Sequence, residues 1–196
     1  MSIPVFRLLA GLALGLAVGG CATGPGSPPS AGGDLARDTP PVPTGTDMSL
    51  ASLIPGFRQP TPTLITGGQP DANAWQAAAA KGVTTVINLR PDSELGARDE
   101  AGEVRGAGLV YRQLPVDGAG DMTEANARTL WQWIQDAPGT VLVHCGSGNR
   151  VGALLAIAAA REGGMAPEAA IDYGKSAGLG SAEARVREVL GTPPAD

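Results

Sequence analysis

Val141-Leu142-Val143-His144-Cys145-Gly146-Ser147-Gly148-Asn149-Arg150-Val151-Gly152 is the stretch from which the fold can be read. A short β-branched, apolar run ends in His-Cys. A loop of small residues follows, then an Arg, then an Ala/Leu-rich helical stretch. Strand, Gly-rich loop and helix N-terminus together form a cradle for an anion. Loop amides converge on one point, and the helix dipole adds partial positive charge there. The same field favours a thiolate at Cys145, the form that acts as a nucleophile. Arg150 adds a rigid two-pronged donor suited to a phosphate-like group. Attack on phosphorus or sulfur is the chemistry this arrangement serves. The plain alternative is a buried cysteine before a tight turn. Its position at the strand's end, with an Arg closing the loop, speaks against that.

Working outward, strand signals alternate with helix signals. Thr63–Thr66 reads as a short strand before the turn Gly67-Gly68-Gln69-Pro70. Asp71 is placed to cap a helix over 72–81, which Gly82 ends. Val83–Leu89 is a buried strand. Asp92 or Ser93 caps a helix running to about Arg105, and Leu109–Leu114 is a further strand. Thr123 caps a helix over 124–136, Thr140–His144 delivers Cys145, and helices follow near 150–162, 167–176 and 181–190. This order implies an α/β domain with a mainly parallel central sheet flanked by helices. In such sheets the site lies beyond the carboxyl ends of the strands. Cys145, Arg90 and Asp117 all fall there.

The chain has 196 residues, with 14 Lys+Arg against 19 Asp+Glu. Arg7 is the only charge in residues 1–20, and Leu8–Val18 is apolar but too short to anchor as a spanning helix. Val18-Gly19-Gly20-Cys21 resembles a bacterial lipobox. By that resemblance residues 1–20 are a lipoprotein signal peptide and Cys21 carries lipid. Ala22 follows rather than a retention Asp, so the expected place is the outer membrane, facing the periplasm. Residues 21–46, rich in Gly, Pro, Ser and Thr, read as a flexible tether. A single domain is expected over 47–191, with 192–196 a tail. The mature chain has 13 basic against 19 acidic residues, a balance of −6, without a basic cluster. That excludes nucleic acid as an expected partner. Membrane contact is expected through the lipid alone.

With Cys21 lipidated, Cys145 is the sole thiol of the mature chain, and an internal disulfide is excluded. His144 is the only histidine. One His and one thiol make a poor metal set, and no metal or cofactor is expected.

Gly68-Gln69-Pro70, Val86–Pro91, Leu114-Pro115-Val116-Asp117 and His144–Gly152 together resemble the cysteine phosphatases of dual-specificity type. More closely, the chain is similar to bacterial phosphatase-like domains fused to β-lactamase-like hydrolases or NAD-kinase-like proteins. The resemblance implies a single phosphatase-like domain and phosphomonoester hydrolysis through a cysteinyl-phosphate. The substrate would be a phosphorylated protein or a small phosphomonoester. It also implies Cys145 as nucleophile, Arg150 as phosphate binder, Gly146, Ser147, Gly148 and Asn149 as the phosphate loop, and Asp117 as general acid. His144 then supports the loop. Asp121 is the alternative acid, and a turn-capping role is open to both.

Two features depart from that family. Four residues, not five, separate Cys145 from Arg150, and Val151 stands where Ser or Thr is usual. The shorter spacing is shared with rhodanese-type sulfurtransferases. Sulfur transfer and non-catalytic phosphate binding are therefore the rival readings. Arg90 is expected in a structural ion pair with Glu94 or Asp117. Glu94, Asp99 and Glu100 read as the solvated acids of a helix. Of the three tryptophans, Trp131 and Trp133 cannot share a helix face, so one should be partly exposed, with Trp75 in the core.

Overall fold

The computed structural model describes residues 50–194. The expected signal peptide over 1–20, Cys21 and the expected tether over 21–46 lie outside the described residues. The sheet has five strands: β1 (Arg58–Thr61), β2 (Leu64–Gly67), β3 (Val83–Asn88), β4 (Val110–Gln113) and β5 (Thr140–His144). Their order is β1-β2-β5-β3-β4, with all pairs parallel except β1–β2. The mainly parallel α/β architecture is as expected, and β5 has its predicted bounds. Strand β1 was not anticipated. Its sequence, Arg-Gln-Pro-Thr, lacks apolar alternation because it is an outer, partly exposed strand, where a proline costs no ladder bond.

Parallel pairing buries both sheet faces. On one face, Leu64, Ile87, Leu89, Val141 and Val143 pack with α5 (Glu124–Gln135), α6 (Asn149–Arg161), α7 (Pro167–Ser176) and α8 (Glu183–Leu190). On the other, Ile65, Val83, Val86 and Leu142 pack with α1 (Leu50–Leu53), α2 (Ala74–Ala80) and α4 (Glu100–Gly106). Helix α6 is buried at every residue from Val151 to Ala159. A helix apolar all round is an interior helix, and α5, α7 and α8 all pack on it. Gly152 makes this possible. A Cβ there would lie 2.6 Å from the Gly174 carbonyl oxygen and overlap the Leu179 amide.

Several helix expectations need correction. The helix from Asp92 to Arg105 is two helices, α3 (Asp92–Leu95) and α4, separated at Gly96, whose φ of 62° is left-handed. Asp71 does not cap α2. Asn73 precedes that helix, and no side chain closes its first turn. Helix α8 begins at Glu183 rather than Ser181. Thr123 does cap α5, accepting from the Asn126 amide. Trp75 is fully buried, while both Trp131 and Trp133 are half-buried.

Strand register fixes the site. Gly67 and Asn88 both pair with His144, and Asn88 pairs with Gln113. The four parallel strands therefore end level, and the segments beyond them emerge side by side. Backbone bonds continue the alignment. Cys145 N donates to Gly67 O (3.3 Å), Leu89 N to His144 O (2.9 Å), Leu114 N to Asn88 O (2.9 Å) and Val116 N to Leu89 O (3.0 Å).

Candidate active site

Cys145 follows β5 directly and is completely buried at the floor of the loop. The Gly148 amide donates to its Sγ at 3.1 Å. Gly148 has φ 92° and precedes α6. Only glycine adopts that backbone without strain, and this turn is what aims its amide at the sulfur. The loop is held from outside by Gly68-Gln69: Gln69 N donates to Gly146 O at 3.3 Å, and Gly68 bridges Ser147. The Ser147 hydroxyl has no partner among the described residues. Val151 has no hydroxyl to offer the sulfur and is buried in the core; the Gly148 amide donates to the sulfur instead.

Asn149 belongs to α6, and its side chain turns away from the cradle. Its Oδ1 accepts from Gly180 N (2.8 Å) and Ala182 N (3.2 Å), and its Nδ2 donates to Ser181 Oγ (3.0 Å). It ties the α7–α8 loop to the phosphate loop rather than presenting a side chain to an anion.

Arg150 links three parts of the site. Its Nη1 donates to Val116 O at 2.8 Å, which draws the segment carrying Asp117 to the cradle. Its fork also holds the Glu94 carboxylate, at 2.7 Å from each nitrogen. The Arg150 pKa is raised, by Glu94's hydrogen bonds against partial burial and then by the neighbouring Cys145 sulfur.

Asp117 is exposed, and its carboxylate has no partner among the described residues. Asp121 is committed: its Oδ2 accepts from the Asp117 amide at 2.9 Å. That bond pins the loop and leaves Asp117 as the free acid.

Arg90 forms the expected ion pair with Glu94 (3.2 Å). Its guanidinium also donates to the Glu94 backbone oxygen and to Gln69 Oε1.

Glu100 corrects a prediction. It is not a solvated acid but is 2% exposed. It accepts from His144 Nε2 (2.9 Å), Asn88 Nδ2 (3.0 Å) and Gln69 Nε2 (2.6 Å). Burial pushes its carboxyl pKa up, but bonds from His144 and Gln69 and the charges of His144 and Arg98 outweigh that and hold it below the ordinary value. Glu94 is likewise held low, by Arg150 first, against slight burial, and then by Arg90. A signal for Glu100 was present: it lies four residues before Val104, the other buried position of α4. The sequence signalled the Glu94 pairing with Arg90 four residues away, but not its pairing with Arg150, which is 56 residues away.

A buried cysteine in an amide cradle, closed by an Arg at the carboxyl end of a parallel sheet, defines a cysteine-type phosphatase-like domain. The chain belongs to the family described as β-lactamase hydrolase-like protein, phosphatase-like domain, whose profile matches residues 56–162. It is 38% identical over 106 residues to a β-lactamase hydrolase-like protein of Xylella fastidiosa (strain Temecula1), covering 52% of this chain and 24% of that one. The chain thus spans about a quarter of the length of that relative. In structure it is similar to a phosphatase-like protein from Neisseria meningitidis Z2491 (26% identity, TM-score 0.57, covering 67% of this chain and 95% of that one). P. aeruginosa TpbA, crystallised as a cysteine-to-serine variant with phosphotyrosine, shares the fold at 24% identity (TM-score 0.56, covering 69% and 86%).

Proposed function

We propose that the domain hydrolyses phosphomonoesters of protein-tyrosine or dual-specificity type through a cysteinyl-phosphate intermediate. Cys145 Sγ attacks phosphorus while the ester P–O bond breaks. Asp117 gives its proton to the departing oxygen, and loop amides with Arg150 hold the equatorial oxygens. A water then attacks phosphorus, Asp117 takes its proton, and the S–P bond breaks to return the Cys145 thiolate. The products are an alcohol or phenol and inorganic phosphate. The Gly148 amide at 3.1 Å takes the part of the missing hydroxyl, supporting the sulfur as it leaves.

The observation that carries this reading is the bond from Arg150 to Val116 O. It ties the residue before Asp117, an exposed acid without a partner among the described residues, to the Arg that closes the loop. Phosphate ester cleavage needs such an acid while sulfur transfer does not. The short Cys-Arg spacing keeps the sulfurtransferase as the rival. Assaying residues 47–196 with an aryl phosphate, and separately with thiosulfate plus cyanide, decides between them. Turnover of the first alone supports the proposal, and turnover of the second alone overturns it.

We also propose that Cys21 is lipidated and holds the domain by its tether on the periplasmic side of the outer membrane. Its substrates would then be envelope phosphoproteins or small phosphomonoesters. Cys21→Ser should release the protein from membranes; an unchanged membrane fraction contradicts the anchor.

A further inference from the structure

We propose that Glu100 is a positioning residue for the Cys145–Arg150 loop, acting through His144 at one end and through Gln69, Arg90 and Glu94 at the other. The inference rests on the phosphatase reading of the site. His144 immediately precedes the nucleophile and is fully buried. Its Nε2 faces the Glu100 carboxylate, so that nitrogen carries the proton, and Nδ1 has no partner among the described residues. Among the described residues Glu100 is therefore this ring's one hydrogen-bond partner, and it fixes which way the ring, packed beside Trp75, presents its nitrogens. The same carboxylate takes the Gln69 amide nitrogen and so leaves Gln69 Oε1 for Arg90. The Gln69 backbone in turn holds Gly146 O. Arg90 grips Glu94 by side chain and backbone, and Glu94 grips Arg150. One buried carboxylate thus sets a continuous run of polar contacts from the residue before Cys145 to the Arg that closes the loop.

Glutamine at 100 cannot reproduce this. It keeps one acceptor oxygen, enough for His144 and Asn88, and puts an NH₂ group at the other position, where Gln69 already presents a donor, so the Gln69 amide loses its fixed orientation. Loop amides act most strongly on charge in the transition state. A small misplacement should therefore affect turnover more than ground-state binding.

The test compares full-length wild type, Glu100→Gln and the core control Ile171→Val, each well below its own melting temperature. Two quantities are read. One is kcat and KM for an aryl phosphate. The other is protection of Cys145 from iodoacetamide by orthovanadate, a transition-state mimic, relative to inorganic phosphate. For Glu100→Gln we expect kcat to fall about tenfold or more with KM within about threefold, and the vanadate preference to fall in parallel. Ile171→Val should change neither. A Glu100→Gln protein with a lower melting temperature but unchanged kcat and vanadate preference overturns the proposal, because Glu100 is then structural alone. A wild type without phosphatase turnover refutes the phosphatase reading instead, and the protection ratio still decides the role of Glu100.

Discussion

Arg150 and Glu94 are joined by two parallel hydrogen bonds, Nη1 to Oε1 and Nη2 to Oε2, each 2.7 Å. The fork that suits two phosphate oxygens already holds a carboxylate. Glu94 lies over the cradle, its Oε2 3.9 Å from where a Cβ on Gly146 would sit. A phosphate entering the loop must share or displace it.

Glu94→Gln therefore should tighten phosphate binding. The pair is partly solvent-exposed, with Glu94 32% accessible, so its worth is about 1 kcal/mol or less. The inhibition constant of inorganic phosphate should fall by about two- to fivefold at neutral pH. Glutamine keeps one acceptor for Arg150 and so keeps its place in the run of contacts from Glu100, while losing the charge that competes with phosphate. A constant that rises would show that the full carboxylate's hold on Arg150 outweighs that competition.

Asp117→Asn should lower kcat by about 10²–10⁴-fold, with KM little changed. The loss should be greatest for alkyl phosphates, whose leaving oxygen is strongly basic, and least for aryl phosphates with acidic phenols. Asp121→Asn removes the carboxylate charge opposite the Asp117 amide and should have the smaller effect. If the two variants exchange these behaviours, Asp121 is the acid.

Alanine inside a helix ordinarily stabilises relative to glycine by about 1 kcal/mol. At Gly152 the sign should reverse, because the new Cβ would press on Gly174 O and the Leu179 amide. Overpacking of this kind costs about 1–3 kcal/mol. Urea denaturation of Gly152→Ala measures it, and a stabilised variant would contradict the close packing of α6 on α7.

Acid should destabilise the fold through Glu100. Its folded pKa lies below the ordinary value. Such a carboxyl contributes stability above its unfolded pKa, about 4.3, and loses it as pH falls through the lower folded value. Between about pH 5 and pH 3 the wild-type melting temperature should therefore fall more steeply than that of Glu100→Gln. Parallel curves would mean that Glu100 is not held ionised by its partners.

The sequence made the apolar framework legible where periodicity and breakers agreed. Thr140–His144 and Pro167–Ser176 have the bounds expected of them. The Cys-Arg loop, the Asp117 segment and the Arg90–Glu94 pair could also be read. What escaped was set by tertiary contact. Asp92–Arg105 reads as one helix because local charge pattern favours it, and Gly96 breaks it so that Glu100 can turn inward. Glu100 looks like any acid on a polar face, and only the arrival of His144, Asn88 and Gln69 from three other segments makes its burial affordable. Asn149 shows the converse: its place in the loop pointed to an anion, yet the Gly180 and Ala182 amides claim its side chain.

The central claim is a phosphoryl group on Cys145. Asp117→Asn, mixed with an aryl phosphate whose phenol leaves unprotonated, should form the intermediate but hydrolyse it slowly for want of a base. Acid quenching followed by peptide mass spectrometry should then find one phosphoryl group on the peptide bearing Cys145, and none when Cys145→Ser is added. Phosphate release with no phosphoryl group at Cys145, or release that survives Cys145→Ser, would contradict the account.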